Sequence, residues 1–298
     1  MHFIMKQKIS PYLWSALVMA LSLALSLSAA TRQKPFLEAS ELPYQETSIW
    51  FMIGYFFAAV VVVVVVLLII PLKKLGLVFR LLYTLLFALG VFVLVYPVLP
   101  DLAAYSLAVI TGILWLFWAK IWLHNLILLV TLAGVSSVFG FFISPWTFMI
   151  FMLVISVYDV LAVRFGLMVW MADKLSETVS LPAFVFPRKT GDLRLNLKAV
   201  QVGELRKEEA DKREHTILGG GDIGFPLMLS NSVYFASGIW GAILVGAFAT
   251  IGLMGAFIIQ KVWLKGKPMP ALPPIAVMSL IGFLIASNCL AQPPAPLV

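Results

Sequence analysis

The chain is organised around the stretch Leu218-Gly219-Gly220-Gly221-Asp222-Ile223-Gly224-Phe225-Pro226. This stretch places an ionisable side chain, Asp222, just inside a long apolar segment and behind three glycines that leave the backbone bare. A second carboxyl, Asp159, lies in the middle of another apolar run, at residues 155–161. Of the 14 Asp and Glu residues, we place only these two within the hydrocarbon of a membrane. Charged groups at that depth are costly and rare, so each one indicates a functional site.

The composition excludes an ordinary soluble protein. Of the 298 residues, 62% are hydrophobic and 12% are charged, whereas soluble domains carry about 25% charged residues. The single cysteine, Cys289, excludes an intrachain disulfide framework and a multi-cysteine metal site. The net charge of +7 is spread between apolar runs, so membrane topology explains the basic residues better than binding of nucleic acid does.

Apolar runs of roughly 20 residues recur along almost the whole length, which predicts an all-α polytopic membrane protein. We predict three parts: residues 1–171 with six transmembrane helices, a cytoplasmic loop at 172–216, and residues 217–298 with three more. Residues 31–48 are predicted to form a polar loop. The first run, which follows Lys6 and Lys8, also fits a cleavable secretory signal, but an uncleaved span is favoured. The nine spans cover about 12–27, 49–70, 77–96, 102–119, 121–143, 146–165, 217–237, 238–260 and 273–290.

The distribution of Lys and Arg predicts the orientation in the membrane. With nine spans and a cytoplasmic N-terminus, 19 of the 21 basic residues fall on the cytoplasmic side, and only Arg32 and Lys34 fall on the other side. Cytoplasmic segments of membrane proteins are enriched in these residues. We therefore predict a multi-pass protein with a cytoplasmic N-terminus and an extracytoplasmic C-terminus.

The two buried carboxyls are predicted to lie at the same depth. Asp159 is fourteen residues beyond Pro145, or about 21 Å into a hydrocarbon core of about 30 Å, which leaves about 9 Å to the cytoplasmic face. Asp222 is five residues into the next span, or about 7–8 Å from the same face. Because consecutive elements are usually neighbours in space, the two side chains are expected to face each other.

Two adjacent buried carboxyls cannot both ionise cheaply, so such a pair shares a proton, as in aspartic proteases. One carboxyl then takes a proton from the attacking water and the other protonates the carbonyl oxygen. The alternatives are a structural hydrogen-bonded pair, or a proton or cation relay in a secondary transporter. A transporter predicts inverted repeats with paired broken helices, and the sequence contains one clear break, before span nine. A zinc or serine protease is improbable, since there is no His-Glu-x-x-His and Ser237 has no plausible base.

Three short motifs occur in order along the chain: Tyr158-Asp159, then Gly219-Gly220-Gly221-Asp222 as a G-x-G-D, and then Pro270-Ala271-Leu272 at the start of the last span. Each motif alone is weak. Together, on spans six, seven and nine, they resemble the presenilin and signal peptide peptidase family of intramembrane aspartyl proteases. The resemblance covers essentially the whole chain.

This resemblance implies a presenilin-like fold in which Asp159 and Asp222 are catalytic and Pro270, Ala271 and Leu272 shape the site. It implies an aspartic endopeptidase that cleaves transmembrane segments or signal peptides within the lipid bilayer, with no metal, organic cofactor or nucleic acid, and it is compatible with a homo-oligomer. The glycines allow a close backbone approach to the site. Tyr158 is expected either to pack as a core aromatic or to hydrogen-bond the carboxyl pair. The loop at 172–216 is short beside the cleaved loop of eukaryotic presenilins, so the resemblance favours a single uncut chain similar to microbial relatives.

The loop itself contains patterned segments. Residues 167–175 suit a short amphipathic helix on the membrane surface, and residues 184–186 suit a strand. The alternation of Leu193, Leu195 and Leu197 with polar residues also predicts a strand, whereas residues 199–211 are charged. We hypothesise that a loop strand and the segment before Gly219 pair with an unwound substrate, the alternative being an ordinary solvated basic loop. His124 and Asn125 are predicted to be membrane-interface residues.

Overall fold

The computed structural model describes residues 11–178, 180–200, 214–264 and 269–289. The described part is a helical bundle with ten α-helices and one two-stranded sheet. The helices are α1 (Pro11–Glu38), α2 (Ile49–Ile69), α3 (Leu72–Val95), α4 (Asp101–Phe117), α5 (Ile121–Phe142), α6 (Pro145–Arg164), α7 (Leu167–Glu177), α8 (Gly220–Ser237), α9 (Ile239–Val262) and α10 (Leu272–Cys289), and the strands are β1 (Ala183–Pro187) and β2 (His215–Gly219).

Six of these helices, α1, α2, α3, α5, α6 and α9, are long and apolar enough to cross a membrane. Two shorter apolar helices, α4 and α10, accompany them. The prediction of a multi-pass helical membrane protein is therefore confirmed, while the count of nine spans stays a prediction.

Helix α8 lies at the centre of the bundle, in contact with α1, α5, α6, α9, α10 and both strands. Its polar residues Ser230, Asn231 and Ser232 are fully buried. The Asn231 Nδ2 donates to Ser26 Oγ at 3.0 Å and to the Leu227 carbonyl at 2.8 Å. Because α1 and the preceding turn of α8 supply these partners, a helix with several polar residues can lie inside the membrane.

The α1 helix continues to Glu38, so the prediction of a loop from residue 31 is wrong for residues 31–38. Buried Gln33 supports the extra turns, since its Nε2 donates to the Val93 carbonyl at 2.8 Å and its Oε1 accepts from Ser137 Oγ at 2.8 Å. α1 packs against α5, α8 and α9.

The loop region at 172–216 differs from the prediction at two places. The residues around Leu193, Leu195 and Leu197 do not form a strand but two short 3₁₀ helices, Thr190–Arg194 and Leu197–Ala199, because local bonds such as Leu195 N–H to the Asp192 carbonyl close turns there. Residues 217–219 belong to β2, so the helix predicted to begin at residue 217 begins at Gly220. The amphipathic helix is present as α7, and the strand predicted at 184–186 is part of β1. The charged segment 201–211 and the basic residues Lys6, Lys8, Lys265 and Lys267 lie outside the described residues.

Close packing of α9 on α10 depends on Gly252. A methyl group on Gly252 would lie 2.7 Å from both the Ile275 Cα and the Pro274 carbonyl oxygen, whereas a methyl group on Gly255, one turn away, would meet nothing within 4 Å. We expect Gly252→Ala to lower the free energy of unfolding by about 1–3 kcal/mol, as overpacking does. Gly255→Ala is the matched control and should leave stability unchanged or slightly higher, since alanine favours helix. Thermal unfolding of the two purified variants compares them, and equal melting temperatures would contradict the packing assignment.

Candidate active site

Asp159 lies on α6, five residues before the last residue of the helix, Arg164. The helix begins at Pro145 with Ser144 as its N-cap, whose Oγ accepts the Thr147 N–H at 3.2 Å. Asp159 itself is 8% exposed. Its Oδ2 accepts a hydrogen bond from the backbone N–H of Leu272 at 3.3 Å. This carboxyl is therefore fixed by the first residue of α10.

Asp222 lies in the first turn of α8, directly after β2. The backbone N–H of Gly219 donates to its carboxylate, and Asp159 is close enough to interact with it through its charge. The N-terminus of a helix also favours a negative charge. The structure thus brings the two carboxyls, 63 residues apart in sequence, into one site at the junction of α6, α8 and α10.

The three glycines of the G-x-G-D motif have different surroundings. A methyl group on Gly219 would lie 3.0 Å from Asp222 Oδ2. Gly220 donates its N–H to the Pro182 carbonyl at 2.8 Å, and a methyl group there would press on the same oxygen at 3.0 Å. A methyl group on Gly221 would meet only the ring of Phe225, on its own helix. All three contacts would be tight, but an added methyl group would press on a carboxylate of the site at 219 and on a backbone oxygen at 220, whereas at 221 it would press on a side-chain ring.

Gly219→Ala is expected to lower the rate of substrate cleavage about 10- to 100-fold, because the added methyl group displaces the carboxylate of Asp222. A misplacement of about 1 Å at a reacting group can cost about 100-fold in rate. Gly221→Ala is the control, and its rate should stay within about threefold of the parent. Initial cleavage rates of the two variants at equal protein concentration provide the measurement. Equal losses in both would show that the position of the Gly219 methyl group is not the cause.

The P-A-L segment lies beside both carboxyls. Leu272 is 3% exposed and donates its backbone N–H to Asp159. Ala271 lines the cavity that Asp222 enters. Pro270 precedes the helix in extended or irregular backbone and is half-buried. The segment thus contributes backbone and a small side chain to the site, and the helix begins only at Leu272.

Tyr158 packs as an aromatic residue between α6 and α2. Its ring makes edge contacts with Phe56, at 5.4 Å between centroids, and with Phe57, at 5.7 Å. It also lines the cavity near Asp222. Of the two expectations for this side chain, the contacts favour packing.

A cavity of about 280 Å³ opens beside Asp222. The sequence did not point to several of its walls. Helix α9 contributes one side of the cavity, and α7 contributes another. The walls not predicted as site residues include Met168, Met171, Leu175, Leu253, Ala256, Phe257, Gln260 and Met269. No sequence signal marked them, since apolar residues at helical spacing occur on every packed helix.

The prediction that His124 and Asn125 are membrane-interface residues misses their contacts. His124 is fully buried. Its Nδ1 accepts from Trp115 Nε1 at 3.2 Å, so its Nε2 carries the proton and donates to the Ala183 carbonyl at 3.1 Å. The Asn125 amide bonds both backbone groups of Val185. These residues hold β1 against α5.

The chain can now be compared with known proteins. A family model described as "Signal-peptide peptidase, presenilin aspartyl protease" matches residues 14–291. The chain belongs to this family. The protein is therefore an aspartyl protease of the membrane, the resemblance drawn from the three motifs is confirmed, and the transporter alternative is not favoured.

Solved structures share the fold of this protease. One is a presenilin family intramembrane aspartate protease in space group P2, with 17% sequence identity and a TM-score of 0.58 over 95% of this chain and 99% of that chain. Its counterpart in space group C222 gives 17% identity and a TM-score of 0.57 over 92% of this chain and 96% of that chain. No curated protein matches the chain.

Proposed function

We propose that Asp159 and Asp222 are the catalytic pair of this protease and that they hydrolyse peptide bonds within transmembrane segments. One observation carries the proposal: Asp159 is held by the backbone N–H of Leu272, at the segment whose Ala271 lines the same cavity as Asp222, and Asp222 is held by the backbone N–H of Gly219. The test is cleavage of a single-pass substrate by the purified protein and by the variants Asp159→Asn and Asp222→Asn.

The pair works by activating a water molecule. Two adjacent carboxyls that share one proton provide a base and an acid in the same site. The base takes a proton from water as its oxygen attacks the peptide carbonyl, and the acid protonates the carbonyl oxygen. The proton taken from water then passes to the leaving amine as the C–N bond breaks, and the proton on the former carbonyl oxygen returns to the carboxylate that had acted as the acid.

The cavity walls suit an apolar substrate. Apart from Asp222, Tyr158 and Gln260, the side chains that line the cavity are apolar. Substrates are therefore single-pass transmembrane helices or signal peptides left in the bilayer, and they enter from the lipid. The few contacts of α2 support lateral entry. Only 6% of its most apolar 18 residues are buried inside the protein, and its main contacts are with α6 and α7.

The two-stranded sheet offers one edge to an unwound substrate. The strands pair antiparallel, with Phe184 opposite Leu218 and Val185 opposite Ile217. In such a ladder, hydrogen-bonded and non-hydrogen-bonded pairs alternate. Two backbone bonds flank the ladder, Arg188 N–H to the Glu214 carbonyl and Gly220 N–H to the Pro182 carbonyl. Both involve an even-numbered residue directly before or after β1. The even-numbered residues of β1 therefore bond β2, and Ile217 directs its N–H and carbonyl to the opposite edge.

This outer edge of β2 leads directly to a catalytic group. Gly219 lies two residues after Ile217, so its backbone N–H also faces away from β1. This N–H donates to the Asp222 carboxylate. Ile217 and Gly219 both line the cavity. A substrate strand added beside Ile217 therefore lies next to Asp222. A helical substrate hides its peptide bonds, and addition as a strand holds them open.

The proposed unit is one uncut chain with nine spans and a cytoplasmic N-terminus. The positive-inside distribution of Lys and Arg supports this orientation. α4, α8 and α10 would be the three additional spans, and the central position of α8 explains its lower apolar content. One chain holds both carboxyls, so a homo-oligomer is not needed for catalysis.

A further inference from the structure

We propose that Asn125, supported by His124, acts as a fixed third strand on β1 and is a positioning residue for substrate cleavage. This inference rests on the proposed function, because it concerns where the substrate strand binds. Its basis is the pair of hydrogen bonds between one side-chain amide and both backbone groups of Val185.

The Asn125 amide imitates the backbone of a neighbouring strand. Its Nδ2 donates to the Val185 carbonyl at 2.7 Å, and its Oδ1 accepts the Val185 N–H at 3.0 Å. A strand residue offers one donor and one acceptor on the same edge, and this amide satisfies both. The neighbouring His124 occupies the Ala183 carbonyl on the same edge at 3.1 Å.

The alternation of hydrogen bonds along β1 shows which edge Asn125 and His124 occupy. Val185 and Ala183 are the residues of β1 that face away from β2, so their backbone groups form the edge at which another strand would add. An open strand edge is a template for pairing with another chain. Asn125 and His124 close it from α5. The substrate strand is thereby directed to the outer edge of β2, beside Ile217 and Asp222.

The same hydrogen bonds fix the position of the sheet relative to the two carboxyls. β1 is fully buried, and α5 packs closely on α8. Because β2 is held by β1 and β1 is held by Asn125, the amide sets where the outer edge of β2 lies relative to Asp222. A shift of one residue in strand register turns every side chain to the other face, so a loosened sheet presents different peptide bonds to the catalytic pair.

The first test is hydrogen exchange at single residues in the full-length protein. In Asn125→Leu, which keeps the size of the side chain and removes its donor and acceptor, the Val185 amide should exchange at least about tenfold faster. The amides of Phe184 and Phe186 should keep their protection, because β2 holds them. Leu126→Ala is the matched control on the next residue of α5, whose side chain is 51% exposed, and should change none of the three. Unchanged protection of Val185 in Asn125→Leu overturns the proposal.

The second test is the kinetics of the same variants on a single-pass substrate. In Asn125→Leu we expect KM to rise about tenfold, which corresponds to about 1.4 kcal/mol of substrate binding, with kcat within threefold, since the substrate strand then binds a sheet that is held less firmly. Additional cut sites should appear by mass spectrometry of the products. If Asn125→Leu does not fold, Asn125→Gln replaces it. The glutamine amide lies one methylene farther from α5 and cannot bond Val185 in the same position, so this variant must also change KM or the cut sites.

The outcomes separate this inference from the assignment of the protease. Parent values of KM and parent cut sites in the Asn125 variant overturn the role of Asn125 and leave the catalytic pair in place. A parent protein that cleaves nothing overturns the proposed function itself. A lower melting temperature of the Asn125 variant, with KM and the cut sites unchanged in the folded fraction, would assign Asn125 to folding alone. That result would also contradict the proposal.

Discussion

Asp159→Asn and Asp222→Asn are each expected to lower cleavage of a transmembrane substrate by at least about 1,000-fold. Positioned acid or base groups contribute about 10²–10⁴ each, and groups that act as a unit lose most of their effect when one is removed. Asparagine matches aspartate in size but neither releases nor accepts a proton at ordinary pH. The variants should therefore bind substrate and fail to hydrolyse it.

Both variants should keep the parent fold. The side-chain oxygen of asparagine still accepts the N–H of Leu272 in one case and of Gly219 in the other. Asp101→Asn, at the exposed start of α4 and away from the cavity, is the matched control and should cleave at the parent rate. The measurement is the rate of product formation from a single-pass substrate in detergent, together with thermal unfolding. Cleavage at a parent rate in either aspartate variant would remove that residue from the catalytic pair.

Ile217→Pro is expected to lower cleavage by at least about 100-fold while the sheet remains paired. Proline removes the backbone N–H that faces the outer edge of β2 and places its ring where a substrate carbonyl would bind. The β1–β2 ladder survives, because Ile217 is on the parity that does not bond β1. The loss should therefore come from substrate binding and not from unfolding.

Ile217→Ala separates the backbone from the side chain. It keeps the N–H and removes only part of the apolar cavity wall, so its loss should not exceed about tenfold. Cleavage rates of both variants, with thermal unfolding as a check on the fold, give the comparison. Equal rates in the two variants would show that the substrate does not bond the outer edge of β2.

The membrane helices and the pair of buried carboxyls could be predicted from the sequence, because each depends on a pattern within a short stretch of the chain. Long apolar runs predicted membrane helices, and the depths of Asp159 and Asp222 predicted that they approach each other. The boundary between the predicted spans 121–143 and 146–165 placed the start of α6 within one residue of Pro145. The glycines predicted close backbone approach, which the structure shows for Gly219 and Gly220.

Contacts between distant segments left no such signal. The leucines at 193, 195 and 197 have the period of a strand, but local 3₁₀ turns compete with strand pairing and determine the structure there. The end of α1 depended on Gln33 meeting partners on α3 and α5. His124 and Asn125 looked like interface residues because they follow Lys120, and their partners on β1 are about 60 residues away.

The most direct test of the central claim is to map the products of a single-pass substrate cleaved by the purified full-length protein in water enriched in ¹⁸O. Water that is activated by Asp159 and Asp222 attacks a peptide bond inside the substrate's transmembrane segment. We therefore expect a new C-terminus within that segment that carries one ¹⁸O atom, and no such product from either aspartate variant. Intact substrate in the parent reaction, together with aspartate-dependent proton or cation flux in reconstituted vesicles, would contradict the account and favour a transporter.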